Sequence, residues 1–220
     1  MEWTKQNVRR RNFGGTSEYV AGPGLAFLKN HYQVGAVADI GVWDGRNLPL
    51  LVKLVEERGV VYGYDHPEAE PAVLEASIRF PGVSFKMGEI IALPFNNGEL
   101  SAVLCWRVLH NLTAPGQLDV ALRELYRVLK IDAPLLIAVR AFNQERPWSR
   151  PMLLETKNPL GVCRTDLCFT GSACEVVLSN AGFKVKNIQL LCEEGTSDGL
   201  PYENKYWAIN CVRGGRCYVG

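Results

Sequence analysis

The 220-residue chain has the size of one domain and is long enough to bury a core without disulfides or metal ions. Its formal charge of +1 and its 47% hydrophobic residues give no electrostatic reason to expect a nucleic acid or an anionic membrane as partner. No apolar run approaches the roughly 20 residues of a membrane helix, and the first residues lack the apolar core of a signal peptide, so we expect a cytoplasmic protein.

The seven cysteines contain no Cys-x-x-Cys pair. The most closely spaced are Cys163, Cys168 and Cys174, and they have no neighbouring histidine. We therefore expect reduced thiols, several of them packed as small apolar residues, and no metal site.

The opening segment is polar, basic and aromatic, with consecutive arginines at positions 9–11. Pro23-Gly24 then leads into a short helical stretch. We expect residues 1–33 to form an N-terminal arm and cap helix, and residues 34–220 to form an α/β domain. The arginine run is either a solvated face or a clamp for an anionic substrate, because guanidinium groups bind carboxylates and phosphates through paired hydrogen bonds.

The stretch AVADIGVWDGRN, residues 36–47, predicts a ligand site. An apolar strand that contains Asp39 opens into a turn with Gly41 and Gly45, and an amphipathic helix follows at once. Such a strand, turn and helix N-terminus bring a ligand against backbone amides and the positive end of a helix. Trp43 stands where the middle glycine of D-x-G-x-G-x-G would be, so its indole either swings out as a lid or fills the pocket.

The next elements alternate between strands and helices. GVVYGYD predicts a second strand ending on Asp65, twenty residues beyond Gly45, the interval at which an acid meets ribose hydroxyls in dinucleotide-type folds. A helix follows, and then a third strand, VSFKMGE, which ends in Gly88-Glu89. SAVLCW is a fourth, wholly apolar strand, as expected of a buried parallel strand. A helix with leucines on one face, capped by Thr113, precedes a fifth strand, PLLIAV.

The last part of the chain changes pattern. Residues 141–168 contain three prolines and are predicted to be irregular. Ser172 and Glu175 form a capping-box pattern that opens a last helix. FKVKNIQLL and YWAINCV are a sixth and a seventh strand, joined by CEEGTSDGLPYENK with no helix between them. We therefore expect them to pair antiparallel, at a hairpin-like end of the sheet. The pattern predicts an α/β, Rossmann-like doubly wound, mostly parallel seven-stranded sheet with a reversed last strand.

The order of these landmarks resembles the class I S-adenosylmethionine-dependent methyltransferases over residues 34–212. The resemblance rests on DIGVWDG, Asp65, Gly88-Glu89, ALPF, RVLHNL and LRELYRVLK, in that order. It implies S-adenosylmethionine as cofactor and methyl transfer as the activity, in a family that adds a reversed seventh strand to six parallel ones. The fourth strand ends in CWRV rather than in an Asn-or-Asp-Pro-Pro-Tyr motif, which favours a small-molecule acceptor over DNA or RNA.

The resemblance implies that eight residues at the ends of the first four strands bind the cofactor: Asp39, Gly41, Trp43, Gly45, Asp65, Glu89, Cys105 and Arg107. Asp39, Gly41 and Gly45 would line the methionine and ribose end, and Asp65 would accept hydrogen bonds from the ribose hydroxyls. Glu89 would lie near the adenine amino group, with the segment from Cys105 to Arg107 beside the methionine moiety. Carboxylates suit hydroxyl and amino donors, and glycine permits close backbone approach.

Methyl transfer from a sulfonium requires mainly that the reactants are held in line and water is excluded, and it needs a base only for a protonated nucleophile. His110 is the candidate base, with a packed or helix-capping histidine as the alternative. The second candidate set is Tyr202, Glu203 and Tyr206, with a hairpin turn and an aromatic residue packed on the sheet as the alternative. We expect the substrate wall to come from the N-terminal arm, residues 141–168 and residues 193–206.

Two other hypotheses stay open. Trp43 in the glycine motif, Ser101 in place of an aspartate and Lys130-Ile-Asp-Ala in place of Lys-Pro-Gly-Gly would also fit a domain that has lost transfer activity and serves as a binding or partner subunit. A nicotinamide-dependent oxidoreductase is disfavoured, because G-x-W-x-G is not G-x-G-x-x-G and the chain shows no suitably placed Tyr-x-x-x-Lys.

Overall fold

A computed structural model of the chain describes residues 17–56, 58–142, 150–157, 163–197 and 200–215, with the backbone alone at 156–157, 163–164, 194–197 and 200–203. Its helices are α1 (Leu25–His31), α2 (Leu48–Val55), α3 (Glu70–Arg79), α4 (Gln117–Val128) and α5 (Gly171–Asn180). Its strands are β1 (Ala36–Ile40), β2 (Val61–Asp65), β3 (Ser84–Met87), β4 (Leu100–Trp106), β5 (Pro134–Arg140), β6 (Met152–Lys157), β7 (Cys163–Cys168), β8 (Phe183–Ser197) and β9 (Leu200–Arg213). Within these ranges, no helix has the length and apolar composition needed to cross a membrane.

Seven strands form one sheet in the order β3-β2-β1-β4-β5-β9-β8. The first five are parallel, and β9 runs antiparallel to both of its neighbours, β5 and β8. The predicted α/β fold, with a mostly parallel sheet and a reversed last strand, is therefore confirmed. The strand order reverses between β1 and β4, and ligands of open α/β sheets bind beyond the carboxyl ends of the strands at such a point.

An apolar layer covers each face of the sheet. The side chains of β4 are all buried and alternate between the layers: Val103 and Cys105 pack with α4 and α5, whereas Leu104 and Trp106 pack with α1, α2 and α3. A strand covered on both faces has no polar side to alternate with, which explains its continuous apolar run. The leucine face predicted for α4 is likewise buried against the sheet.

The described part of the N-terminal segment packs against the sheet. A π-helical turn, Val20–Gly24, runs into α1. The ring of Tyr19 stacks on that of Trp106 with the centroids 6.0 Å apart, and the Tyr19 hydroxyl donates to Asn210 Oδ1 over 3.2 Å. These contacts give residues 17–31 a fixed place on the layer of α1, α2 and α3, while the boundary between residues 33 and 34 stays a prediction.

The prediction that residues 141–168 are irregular is wrong. Their described part contains an antiparallel pair, in which Met152 of β6 lies opposite Cys168 of β7. Pro151 stands just before β6, where a missing N–H removes no hydrogen bond from the ladder, so the proline does not prevent pairing. A bridge between Ala141 and Phe169 joins this small sheet to the end of β5.

The hairpin of β8 and β9 pairs antiparallel, as predicted, and both strands are longer than the segments predicted for them, because they extend into the connecting segment. Pairing continues to Ser197 opposite Leu200. Since β5 ends at Arg140 opposite Tyr206, the hairpin extends beyond this end of the sheet as a two-stranded ribbon. Outside the sheet, main-chain bonds are enough to hold a two-stranded ribbon together, so no alternation of apolar residues is needed to predict it.

Two predicted helix caps are corrected. The residue that caps α5 is Thr170 rather than Ser172, because its Oγ1 accepts a hydrogen bond from Ala173 N over 3.1 Å. Thr113 does not cap α4, which begins after Gly116 without a side-chain cap. The proline between them disfavours a helical conformation for the residue before it, so the helix starts later.

Candidate functional site

The loop after β1 is hydrogen-bonded to the end of β2. The amides of Gly41 and Val42 both donate to the carbonyl oxygen of Tyr64, over 2.7 and 3.1 Å. Gly41 has φ 86°, and a Cβ there would lie 2.2 Å from a methyl carbon of Val108. Gly45, with φ 75°, also needs the left-handed conformation. Both glycines are thus required by the backbone, as the glycine motif predicts.

Trp43 adopts the left-handed conformation that a glycine would adopt. Its φ is 47°, a conformation that costs other residues about 1–2 kcal/mol. Its amide donates to Asp65 Oδ2 over 2.7 Å. Its half-buried indole packs against the layer of α1, α2 and α3. The main chain at this position therefore follows the path of the glycine motif, with the tryptophan side chain attached to it.

Asp39 is fully buried near the end of β1. Neither of its carboxylate oxygens has a hydrogen-bond partner of ordinary geometry among the described residues. Burial, reinforced by Asp65, raises its pKa to about 7, while the nearby Asn47 side chain and Arg46 act in the opposite direction. A buried carboxylate without a donor costs free energy that the donor group of a ligand would recover.

Asp65 ends β2, the strand next to β1. Its Oδ2 accepts from the amide of Trp43, and its Oδ1 accepts from the amide of His66 over 2.8 Å. Burial raises the pKa of this carboxyl group, and the two amide bonds oppose that shift. Each carboxylate oxygen can accept a further hydrogen bond, so the group is fixed in place and can still bind hydroxyl groups.

Glu89 follows β3 and lies beside the end of β2. Its Oε1 is 2.8 Å from His66 Nε2, and its carbonyl oxygen accepts from the Tyr64 hydroxyl over 3.0 Å. The amide of Gly88 donates to the carbonyl oxygen of Asp65 over 3.0 Å. Two acidic residues from neighbouring strands therefore come together at one end of the site.

At the end of β4, one predicted site residue lies in the core and another lies at the sheet edge. The Cys105 side chain is fully buried in the layer of α4 and α5, and burial raises the pKa of its thiol. Arg107 has φ 66° and forms an ion pair with Glu193. Its guanidinium carbon lies 4.4 Å from the centroid of the Tyr206 ring. Of this segment, Arg107 rather than Cys105 has its side chain at the edge where ligands bind.

A second polar group lies beyond the end of β5. Arg140 Nε is 2.8 Å from Asp166 Oδ2, and Arg140 Nη1 donates to Asn204 Oδ1 over 2.9 Å. The guanidinium carbon of Arg140 is 5.3 Å from the centroid of the Tyr206 ring, and the His110 ring centroid is 6.1 Å from it. Tyr206 thus packs among two arginines and a histidine. His110 itself is 3% exposed, which agrees with the packed alternative for this residue.

The structure brings most of the predicted site residues to one edge of the sheet. The glycine loop follows β1, Asp65 ends β2 and Glu89 follows β3. Arg107 and His110 follow β4. Tyr202 and Glu203 lie on the β9 part of the ribbon, opposite Gly195 and Glu194, with side chains outside the described structure. The arginines at 9–11 also lie outside the described residues.

Two polar residues of the site, Arg140 and Asp166, were not among the residues predicted from the sequence. Arg140 could have been found, because it is the first polar residue after an apolar strand. Asp166 gives no such signal, since its place under Arg140 depends on the unpredicted β6–β7 pair. Among the described residues, no group of histidine, cysteine and acidic side chains could hold a metal ion. The side chains of the site are instead suited to bind amino, hydroxyl and anionic groups.

Comparisons with known proteins agree with this arrangement. Residues 37–132 match the family model described as a methyltransferase domain. No curated protein sequence matches the chain. An S-adenosylmethionine-dependent methyltransferase from Methanosarcina mazei has a TM-score of 0.65 at 16% identity, over 84% of this chain and 95% of that one. One from Aquifex aeolicus has a TM-score of 0.62 at 18% identity, over 96% and 98%.

A third solved structure includes a ligand in its description. It is the 1,6-didemethyltoxoflavin-N1-methyltransferase of Burkholderia thailandensis, with bound 1,6-didemethyltoxoflavin and S-adenosylhomocysteine. It has a TM-score of 0.61 at 20% identity, over 90% of this chain and 80% of that one. At these identities the structures establish a shared fold.

Proposed function

We propose that this chain is a class I S-adenosylmethionine-dependent methyltransferase that binds S-adenosylmethionine and methylates a small molecule. The methyltransferase-domain match over residues 37–132 and the shared fold support the proposal. The observation that carries the proposal is the buried carboxylate of Asp39 beside the loop after β1, which has no hydrogen-bond partner of ordinary geometry among the described residues. A group so placed is suited to a ligand that brings hydrogen-bond donors to this edge.

The residues of the loop and the strand ends fit the cofactor. Asp65, held by two amides, would accept hydrogen bonds from the ribose hydroxyls. Glu89 would accept one from the adenine amino group. Asp39 would lie at the methionine end with the loop from Gly41 to Gly45, where the two glycines would let the backbone approach closely. When bound, the cofactor supplies an electrophilic methyl group on a sulfonium.

The acceptor would lie beyond the ends of β4 and β5, against Arg107, Arg140 and Tyr206. The paired guanidinium groups hold the Tyr206 ring in place, and the β8–β9 ribbon extends beside this edge, where it would help to exclude water. His110 is the proposed base for an acceptor that arrives protonated, with Tyr202 and Glu203 as second candidates. The Burkholderia thailandensis protein, a 1,6-didemethyltoxoflavin-N1-methyltransferase, supports a small-molecule acceptor.

Calorimetric titration with S-adenosylmethionine and S-adenosylhomocysteine tests the proposal. We expect both to bind the wild-type protein. Asp65→Ala should weaken binding by about 10- to 100-fold, because hydrogen bonds to a charged group are lost. Asp119→Ala is the matched control, since Asp119 is exposed on α4, and it should leave the affinity unchanged. If neither compound binds the wild-type protein, the proposed enzyme function is wrong.

A second candidate is a domain that has lost transfer activity and acts as a binding or partner subunit. The observation that favours it is the Trp43 indole in the cofactor loop. Thermal unfolding of the wild-type protein and of Trp43→Gly, each with S-adenosylhomocysteine, separates the two candidates, because a bound ligand raises the melting temperature. A response of Trp43→Gly alone supports the degenerate domain, and a response of the wild-type protein supports the enzyme.

A further inference from the structure

Both ring nitrogens of His66 are hydrogen-bonded. Nδ1 lies 3.2 Å from the backbone amide of Glu68, and Nε2 lies 2.8 Å from Glu89 Oε1. An amide N–H can only donate, so Nδ1 is the acceptor and carries no proton. The ring proton of the neutral imidazole then lies on Nε2 and is donated to Glu89. The two bonds therefore fix the tautomer of His66 and the position of one oxygen of Glu89.

The backbone around Glu89 is fixed as well. Its carbonyl oxygen accepts from the Tyr64 hydroxyl, and the preceding amide, that of Gly88, donates to Asp65. A Cβ at Gly88 would lie 2.6 Å from the Tyr64 hydroxyl oxygen, so the chain passes close to β2 here. Among the described residues, none donates to Oε2, the second oxygen of Glu89. This oxygen can thus accept from a ligand, while His66 holds the other carboxylate oxygen and the bonds to Tyr64 and Asp65 hold the backbone.

We propose that His66 is a positioning residue which makes this site selective for adenine over purines with a carbonyl group at the same place. By holding one oxygen of Glu89, it keeps the carboxylate ready to accept from the exocyclic amino group of the nucleoside. A carbonyl group there could only accept, and it would face another acceptor. The inference rests on the proposed function, because it assumes that Glu89 meets the base of the bound cofactor.

The alternative role of the pair is that of an ordinary surface ion pair. The side chains of His66 and Glu89 are 44% and 55% exposed, and exposed pairs contribute little to stability. Melting temperatures therefore do not separate the two roles. The ratio of the affinities for two nucleosides separates them, because a partly unfolded variant lowers both affinities by the same factor and leaves their ratio unchanged.

Calorimetric titration with S-adenosylhomocysteine and S-inosylhomocysteine, which has a carbonyl group in place of the amino group, provides the test. We expect the wild-type protein to prefer the adenosine compound by about 10-fold or more. His66→Ala should lower this preference to about 3-fold or less, because Glu89 is then free to rotate. His66→Gln should retain most of it, since the amide of glutamine can still donate to the carboxylate. Glu89→Gln should abolish it.

The outcomes separate the inference from the proposed function. Glu70→Gln is the control, because Glu70 is exposed at the start of α3, and it should keep the wild-type ratio. If S-adenosylhomocysteine binds but His66→Ala keeps the wild-type ratio, the inference is wrong and the cofactor proposal survives. A wild-type protein that binds both compounds equally also overturns the inference alone. No binding of S-adenosylhomocysteine overturns both.

Discussion

At the scale of single residues, Asp39 is held in an unfavourable environment for a carboxylate. Burial raises its pKa from 3.8 to about 7. A folded-state pKa above the unfolded one means that the folded protein binds the proton more tightly. The stability that this proton provides is therefore complete below the unfolded pKa of 3.8 and is lost as the pH rises through the folded pKa of about 7.

We expect Asp39→Asn to raise the free energy of unfolding at pH 8 by up to about 4 kcal/mol, because the amide needs no ionisation in a dry site. Near pH 4 the gain should be much smaller, since the folded wild-type carboxyl group is then neutral too. Urea unfolding at a series of pH values measures both. Asp119→Asn, on the exposed face of α4, should show no such pH dependence. A gain in the free energy of unfolding that is the same at every pH would show that the folded-state pKa of Asp39 is not raised.

The types of the site residues could be predicted from the sequence, but their partners could not. Asp39 and Asp65 stand out because each is an acid in or at the end of an apolar strand. The bond from the Trp43 amide to Asp65, and that from His66 to Glu89, join separate loops across the strand ends. Such pairs follow from the strand order, which no local pattern encodes.

At the scale of elements, the residue that caps α5 depends on where the helix begins. The helix begins two residues earlier than the sequence pattern predicts, so Thr170 caps it rather than Ser172. Thr170→Ala should destabilise the protein by about 1 kcal/mol, since the N–H of Ala173 loses its acceptor. We expect the melting temperature to fall by about 2–4 °C. Calorimetry or circular dichroism measures the change.

Ser172→Ala is the matched control for this cap. The sequence predicts Ser172 as the cap, whereas the structure places it inside α5. Its replacement should change the free energy of unfolding by no more than about 0.5 kcal/mol. A larger loss from Ser172→Ala than from Thr170→Ala would restore the capping-box prediction.

At the scale of the whole molecule, β9 lies in the interior of the sheet although it is the last strand in the chain. It bonds to β5 from Pro134 to Arg140 and to β8 on its other side. We expect the amides of β5 and of its partners in β9 to exchange with solvent more slowly than those of β3 and β6, because the latter two lie at edges. Hydrogen exchange measured by NMR or mass spectrometry tests this ranking, and equal rates in β9 and β3 would contradict the strand order.

The α/β alternation, the glycine loop after β1 and the acids at the strand ends can be predicted from local patterns, because periodicity, turn residues and charges inside apolar runs act over short distances. Tertiary structure alone decided that β6 and β7 pair, that β8 and β9 continue as a ribbon beyond the sheet, and that Arg107 and Arg140 meet at Tyr206. These features depend on main-chain pairing and on contacts between residues far apart in the chain. Their physical basis is the packing of strands side by side, which becomes defined only when the whole sheet has formed.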